Sequence, residues 1–411
     1  MGQRRTPGEM ARVRSLLRLA RGEFGRLAWA DRKVIVAAAL GEVADFTDQT
    51  PDYAERWSEA LASERALASH ADRRRRDEAR DEPAPAHRPR PVPSVEVDPA
   101  VVRWLLTDGE ALPSVHAAGV QIRAALVPGL LNLEDAIAAR PLWCFACVLG
   151  GVLLLGARCR TIGLPGCLVT EAEMPGSHPC AIVADRAEVG GGMDLRNGFR
   201  AEGEVRLLGA RITGDLACDG GAFVKPGGLA LNADRAGVGG GMFLRKGFRA
   251  EGEVRLLGAR ITGDLSCDGG AFVNPGGVAL SADGARVEGT LFLRGIREVR
   301  GTIKLMRSRV GYLNDMPRAS IVRGDAPAWP AEILLTDFRY DGIFPGAPLS
   351  AKDRLAWLAN HDATHGRFYP SDPPDPQPYR QLAGVLKQQG READARAVLF
   401  GYERCRSRWT P

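Results

Sequence analysis

The chain has 411 residues, 45% of them hydrophobic, with 55 Lys+Arg against 50 Asp+Glu and a formal net charge of +5. That is enough apolar sequence for a large core, and so small a charge excess does not mark a dedicated nucleic-acid binder. The eight cysteines (Cys144, Cys147, Cys159, Cys167, Cys180, Cys218, Cys267 and Cys405) are irregularly spaced and follow no secretory signal. They read as reduced core residues of a cytoplasmic protein rather than as a disulfide framework.

In chain order, residues 1–65 are expected to form a helical N-terminal region. Met10, Val13, Leu16, Leu17, Ala20, Phe24 and Leu27 recur at helical spacing, with Arg12, Arg14, Arg18, Arg21 and Arg26 between them. Two readings stay open: a helix packed on the body or on a partner, and a helix lying on a membrane surface, in peripheral contact with its inner face. Met1–Thr6 formally fits a myristoylation pattern, and Arg4-Arg5 a twin-arginine pattern without the apolar region that should follow. Further helix is expected to residue 65, centred on Val34–Leu40. Residues 66–97, with the run Arg73–Arg76 and then Pro83, Pro85, Pro89, Pro91 and Pro93, read as a disordered basic and proline-rich linker. Residues 98–118, around Val101–Leu106, read as a helical cap.

From 119 to 345 the language is that of short strands, and its centre is a repeat. Ala184–Asn232 and Ala233–Ser281 differ at only seven of 49 positions: Glu188/Gly237, Asp194/Phe243, Asn197/Lys246, Ala217/Ser266, Lys225/Asn274, Leu229/Val278 and Asn232/Ser281. A third copy begins at Ala282 and decays after Tyr312. Fixed-period self-similarity is the mark of a solenoid. Val205 and Leu207 alternate with Arg206, the Gly209-Ala210 pair shifts the phase, and the apolar pattern resumes at Ile212, which spells strand, corner, strand. Interior Gly-Gly pairs would cost a helix about 1 kcal/mol per glycine against alanine, so helical repeats are disfavoured. The expected fold is mainly β: a right-handed parallel β-helix with an α-helical N-terminal region and a C-terminal helical hairpin. Each repeat unit should close as two coils, leaving equivalent residues roughly 9–10 Å apart. That is too far for Cys218 and Cys267 to form a disulfide. The apolar run Leu142–Ala157 is too short for a typical membrane span and carries the repeat pattern, so it reads as buried strands.

Residues 346–411 are expected to be helical. Helix returns at Ala351–Leu358, and Tyr379–Gln389 and Glu392–Arg406 form a tetratricopeptide-like hairpin broken at Gly390. In it Tyr379, Leu382, Ala383 and Leu386 should face Ala393, Ala397, Val398 and Leu399.

The blocks Val205–Leu216, Leu335–Tyr340 and Pro376–Leu399 resemble a family of bacterial repeat proteins, similar in style to pentapeptide-repeat proteins, whose actinobacterial members are often labelled "membrane-associated oxidoreductase". The resemblance spans roughly Val101 to Arg408. It implies a membrane-associated redox role but supplies no catalytic residues.

Motifs for chemistry are sparse. The triplets Gly190–Gly192 and Gly239–Gly241 do not continue into a dinucleotide-binding spacing. Cys144-Phe145-Ala146-Cys147 is a C-x-x-C, but it sits in an apolar, strand-like run where thiols are buried. His361 and His365 would share a helix face suited to a metal, although Gly366 suggests a frayed helix end instead. No catalytic or metal residue is assigned and no cofactor is expected. The most regular polar feature is a set of arginines at equivalent repeat positions: Arg196, Arg206 and Arg211, then Arg245, Arg255 and Arg260. These form the candidate interaction surface, against a plain reading as a charge-balanced solvated face. From Ala184 to Val310 there are 19 Lys+Arg and 15 Asp+Glu, which argues against mimicry of DNA. The function expected is a non-enzymatic scaffold for an unidentified protein partner or for self-association, with nucleic acid disfavoured. A membrane-associated oxidoreductase is the alternative, and a β-helix carbohydrate enzyme a weaker third.

Overall fold

The computed structural model describes residues 5–49, 56, 58–60, 62–63, 91–315 and 332–408. The linker residues 66–90, with Arg73–Arg76, lie outside that set, as do 316–331. The fold is a parallel β-solenoid of about eight turns with helices at the N-terminus and a helical C-terminal region. The chain forms two compact units, Met1–Arg206 and Leu207–Pro411.

In the N-terminal unit, helix α1 (Pro7–Phe24) starts in a capping box between Thr6 and Glu9 and buries Val13, Leu16 and Ala20. Part of the apolar stripe of α1 is thus covered by the protein itself, with Met10, Leu17 and Phe24 half-buried, and Arg12 donates to the Ala39 carbonyl across 3.0 Å. Helix α2 (Trp29–Leu40) ends at Gly41 in a left-handed conformation. Helix is interrupted there within the expected 31–65 stretch, and the described residues 56, 58–60 and 62–63 are helical again. Ala44–Asp45 is extended and pairs in parallel with Ile122–Arg123, so this region already supplies a solenoid strand. Helix α3 (Pro99–Thr107) is capped by Asp98, whose own N–H donates to Asp31 Oδ1 at 3.0 Å, tying α3 to α2.

The strands of this unit's sheets pair in parallel. Val120 pairs with Leu142 and Leu142 with Ile162, so these two coils are close to equal in length. Ile162 then pairs with Met193, and this coil is longer. The extra residues form an excursion after Leu168–Thr170, closed by an antiparallel bridge between Ala172 and Cys180. The run Leu142–Ala157 is strand, corner, strand, with Leu142, Cys144, Leu149, Val152 and Leu153 buried.

In the C-terminal unit the repeat closes as two coils of unequal length. Arg211 pairs with Gly237, Gly237 with Arg260, Arg260 with Arg286 and Arg286 with Arg309, so a longer coil and a shorter one alternate. Inward-facing phenylalanines stack along the coils: Phe223, Phe248 and Phe272 lie 5.2 and 5.6 Å apart between ring centroids. Glycine is required where a neighbouring hairpin crosses close to the backbone. At Gly252 (φ 123°) a Cβ would stand 2.4 Å from the Lys225 carbonyl oxygen, and Gly301 repeats the arrangement against Asn274.

Helices α4 (Ala351–Phe368), α5 (Pro376–Gln388) and α6 (Glu392–Arg406) cover the last strands of this unit. An open β edge carries unpaired N–H and C=O groups, and here helix side chains meet them. His361 Nδ1 accepts from Leu335 N–H at 3.3 Å and Thr364 Oγ1 from Ile333 N–H at 3.2 Å. On α5, Gln377 and Gln381 donate to the carbonyls of Phe338 and Tyr340 at 3.1 and 2.6 Å, and Gln389, just past the helix, donates to Ile343 at 2.8 Å. Arg354 of α4 makes a bidentate pair with Asp315, at 2.7 and 2.9 Å. The hairpin differs from expectation on its second helix. Ala395 and Val398 are buried, whereas Ala393, Ala397 and Leu399 are exposed. The cause is α4: Asp394 accepts from Ala351 N–H at 2.8 Å, and Gly401 lies so close to Leu355 that a Cβ would clash. Helix α6 is thereby turned toward α4 as well as α5.

Candidate functional site

The six arginines singled out by the repeat fall into two classes. Arg196, Arg206, Arg245 and Arg255 are each paired with an aspartate. In the N-terminal unit, Arg206 Nε donates to Asp185 at 2.7 Å, and Arg196 donates to both carboxylate oxygens of Asp194 at 3.0 and 2.7 Å. In the C-terminal unit, Arg245 pairs with Asp219 at 2.7 Å and Arg255 with Asp234 at 2.8 Å. Arg206 and Arg255 occupy the same repeat position, and each reaches the equivalent aspartate of the coil before it, Asp185 or Asp234. The hydrogen bond to Asp185 holds the Arg206 guanidinium above its usual pKa, so it stays charged. The difference Asp194/Phe243 changes the partner: in the second copy Phe243 lies beneath the Arg245 guanidinium, 4.1 Å from ring centroid to Cζ, and the carboxylate comes from Asp219 instead. These arginines hold their guanidinium groups against carboxylates of the solenoid itself.

Arg211 and Arg260 are set apart by the column they share. Both are exposed, each on a two-residue strand in the C-terminal unit. Arg260 lies in register with Arg286, Arg286 with Arg309, and Arg309 with Arg339. All four are exposed. Neighbouring strands are about 4.8 Å apart, so four guanidinium-bearing side chains rise from successive rungs of one face. Arg211 begins the same column, separated from Arg260 by Gly237. At the far end a cavity of about 420 Å³ is lined by Arg286, Arg307, Ser308, Arg309, Asp337 and Arg339. Among the described residues, counter-charge comes from Asp341, 3.1 Å from Arg309, from Asp337, from Asp283, which acts on Arg307, and from Glu288, close in sequence to Arg286. Like charges placed directly opposite across a sheet repel, and these four acids are outnumbered by Arg260, Arg286, Arg307, Arg309 and Arg339.

The repeat period alone marks Arg211, Arg260 and Arg309. Arg286 and Arg339 escaped the sequence reading because their places depend on the unequal coils and on the long connection between Arg309 and Arg339.

The C-x-x-C thiols are buried, as is Cys167 in the next coil. Cys147 N–H donates to Cys167 Sγ at 3.4 Å. Hydrogen bonding to Cys147 and burial push the Cys144 thiol well up, and burial does the same to Cys167, so both stay protonated. The histidine pair does not lie at a frayed helix end. Helix α4 continues to Phe368, His361 and His365 are both buried, and their rings meet edge to face at 5.5 Å. The His361 Nδ1 lone pair is used by the Leu335 N–H, and burial lowers its pKa to about 4. The pair serves as part of the lid over the sheet edge.

Compared with protein-family models, with curated proteins and with solved structures, the chain gives no match. The β-solenoid is consistent with a β-helix repeat family.

Proposed function

We propose that this chain is a non-enzymatic scaffold that holds an acidic partner protein along the arginine ladder Arg260–Arg286–Arg309–Arg339. The observation that carries this reading is the in-register exposure of four like charges on one face. An arrangement that costs the isolated fold through repulsion is relieved when carboxylates bind, because arginine forks match carboxylate geometry. Four rungs span roughly 14 Å, the scale of a patch on a protein surface rather than of a long nucleic-acid track. The paired arginines Arg196, Arg206, Arg245 and Arg255 are not part of that surface, since their charges are already answered. The alternative reading, a redox role, draws no support from Cys144 and Cys147, whose burial withholds them from a substrate.

The test is retention of proteins from an extract on immobilised wild-type chain and on the variant Arg286→Glu, Arg309→Glu, Arg339→Glu. The wild type should retain acidic proteins that rising salt releases. The variant should lose them while keeping its melting temperature. If both chains retain the same proteins, the ladder is a solvated face and the proposal fails.

A further inference from the structure

In the N-terminal unit, His178, Cys180 and Glu204 offer one nitrogen, one sulfur and one carboxylate oxygen, all within 4.8 Å of one another. His178 is exposed, while Cys180 and Glu204 are buried. The excursion that lengthens the coil between Ile162 and Met193 delivers two of the three: His178 and Cys180 stand at its return, where Ala172 and Cys180 form their antiparallel bridge. Glu204 comes from the next coil, immediately before Val205, which pairs with Ile182. The excursion is held against that coil at two points. His178 Nε2 lies 2.6 Å from Glu204 Oε2, and Ser177 Oγ accepts from Arg206 at 2.7 Å. Arg206 is paired with Asp185 and also acts on Cys180 and Glu204, so its positive charge near the three donors is offset in part by that aspartate.

We propose that His178, Cys180 and Glu204 bind a zinc ion. Nitrogen, thiolate sulfur and carboxylate oxygen are the donors zinc takes, at about 2.0–2.3 Å in tetrahedral arrangement. A mixed set including thiolate disfavours magnesium and calcium, which prefer oxygen alone. The thiolate and carboxylate together balance the two positive charges. Binding deprotonates Cys180, and that proton leaves to solvent, so affinity rises with pH. The His178–Glu204 contact opens slightly to admit the ion, and the exposed side of His178 leaves the fourth position to water. The ion fastens the excursion to the following coil.

The repeat supplies an internal control. Glu253 is the counterpart of Glu204 in the second copy, and the preceding coil there turns through Lys225-Pro226-Gly227-Gly228, with no histidine or cysteine. Glu253 therefore has the carboxylate without the other two donors.

The experiment is a titration of the purified, metal-stripped full chain with cobalt(II), followed by absorption, with zinc then added as competitor. Wild type should show a thiolate-to-cobalt charge-transfer band and visible bands that saturate at one equivalent and vanish on one equivalent of zinc. Cys180→Ser should lose the charge-transfer band. His178→Ala changes an exposed side chain, and its folding is checked by circular dichroism. It should weaken cobalt binding by more than the about 10–100-fold that losing an outer partner costs a metal site. Glu253→Gln should bind as wild type does. Absence of the bands in wild type, or bands that persist unchanged in Cys180→Ser or His178→Ala, would overturn the proposal. Persistent bands would assign the metal to Cys144, Cys147 and Cys167 or to the histidines of α4.

Discussion

The paired arginines and the laddered arginines belong to one kind of coil, and the depth of the pairs they make separates them. In the C-terminal unit one guanidinium–carboxylate chemistry is met at three depths. The side chains of Arg354 and Asp315 are 0% and 2% exposed, those of Arg255 and Asp234 are 32% and 10%, and those of Arg309 and Asp341 are 64% and 62%. Depth decides what each pair does. Buried pairs fix geometry, because removing one partner strands a charge away from water. Exposed pairs contribute little and can exchange partners. A surface for binding is therefore to be sought where arginines are exposed and outnumber their acids, which is the ladder, rather than wherever arginines repeat.

Substitutions along this gradient should break the comparison or sharpen it. Asp315→Ala leaves Arg354 buried without its partner and should cost about 3–5 kcal/mol, read as a fall in the denaturation midpoint. A value near zero would mean that the lid of α4 does not depend on the pair. Acid should act on the same lid through His361. Its native pKa of about 4 lies below the ordinary value of 6.5, so the unfolded chain takes up a proton first as pH falls. The stability due to the neutral ring is complete above about pH 6.5 and is lost between there and pH 4, by up to about 3 kcal/mol. Asp362, whose carboxyl burial raises, works in the opposite sense. The check is therefore the difference between wild type and His361→Asn across that range. Equal pH profiles would contradict it. Asp234→Ala, at the intermediate depth, should cost about 1–3 kcal/mol. Asp341→Ala, at the exposed end, should change stability by less than about 1 kcal/mol. It should also strengthen binding of an acidic partner by freeing Arg309, and a large loss of stability there would show that the ladder is structural.

Much of this fold was legible because the solenoid is written twice. Period two between glycine corners gives short strands, and the near-identity of the two copies gives the stacking, so the β-helix and its two coils per repeat follow from residues such as Val205, Leu207 and Ile212. What was not legible depends on contacts across coils. Nothing local in Arg206 shows that Asp185 answers it, and nothing in Arg286 shows that it stands over Arg260. The strand at Ala44–Asp45 was hidden inside a helical region because so short a strand cannot show a period. The lid was half visible: the helices follow from periodicity, while the spacing of Gln377 and Gln381, with Gln389 beyond, is a signal for capping a sheet edge that makes sense only once the edge is known. The excursion carrying His178 and Cys180 departs from the repeat, and a reading centred on the repeat passes over it.

The most direct measurement is a fluorescence titration of labelled polyglutamate against the wild-type chain and against Arg286→Glu, Arg309→Glu, with both melting temperatures recorded. The wild type should bind with an affinity that falls as salt rises, and the variant should lose binding while melting at the same temperature. Equal binding by the two chains would contradict the assignment of the exposed ladder as the surface on which an acidic partner is held.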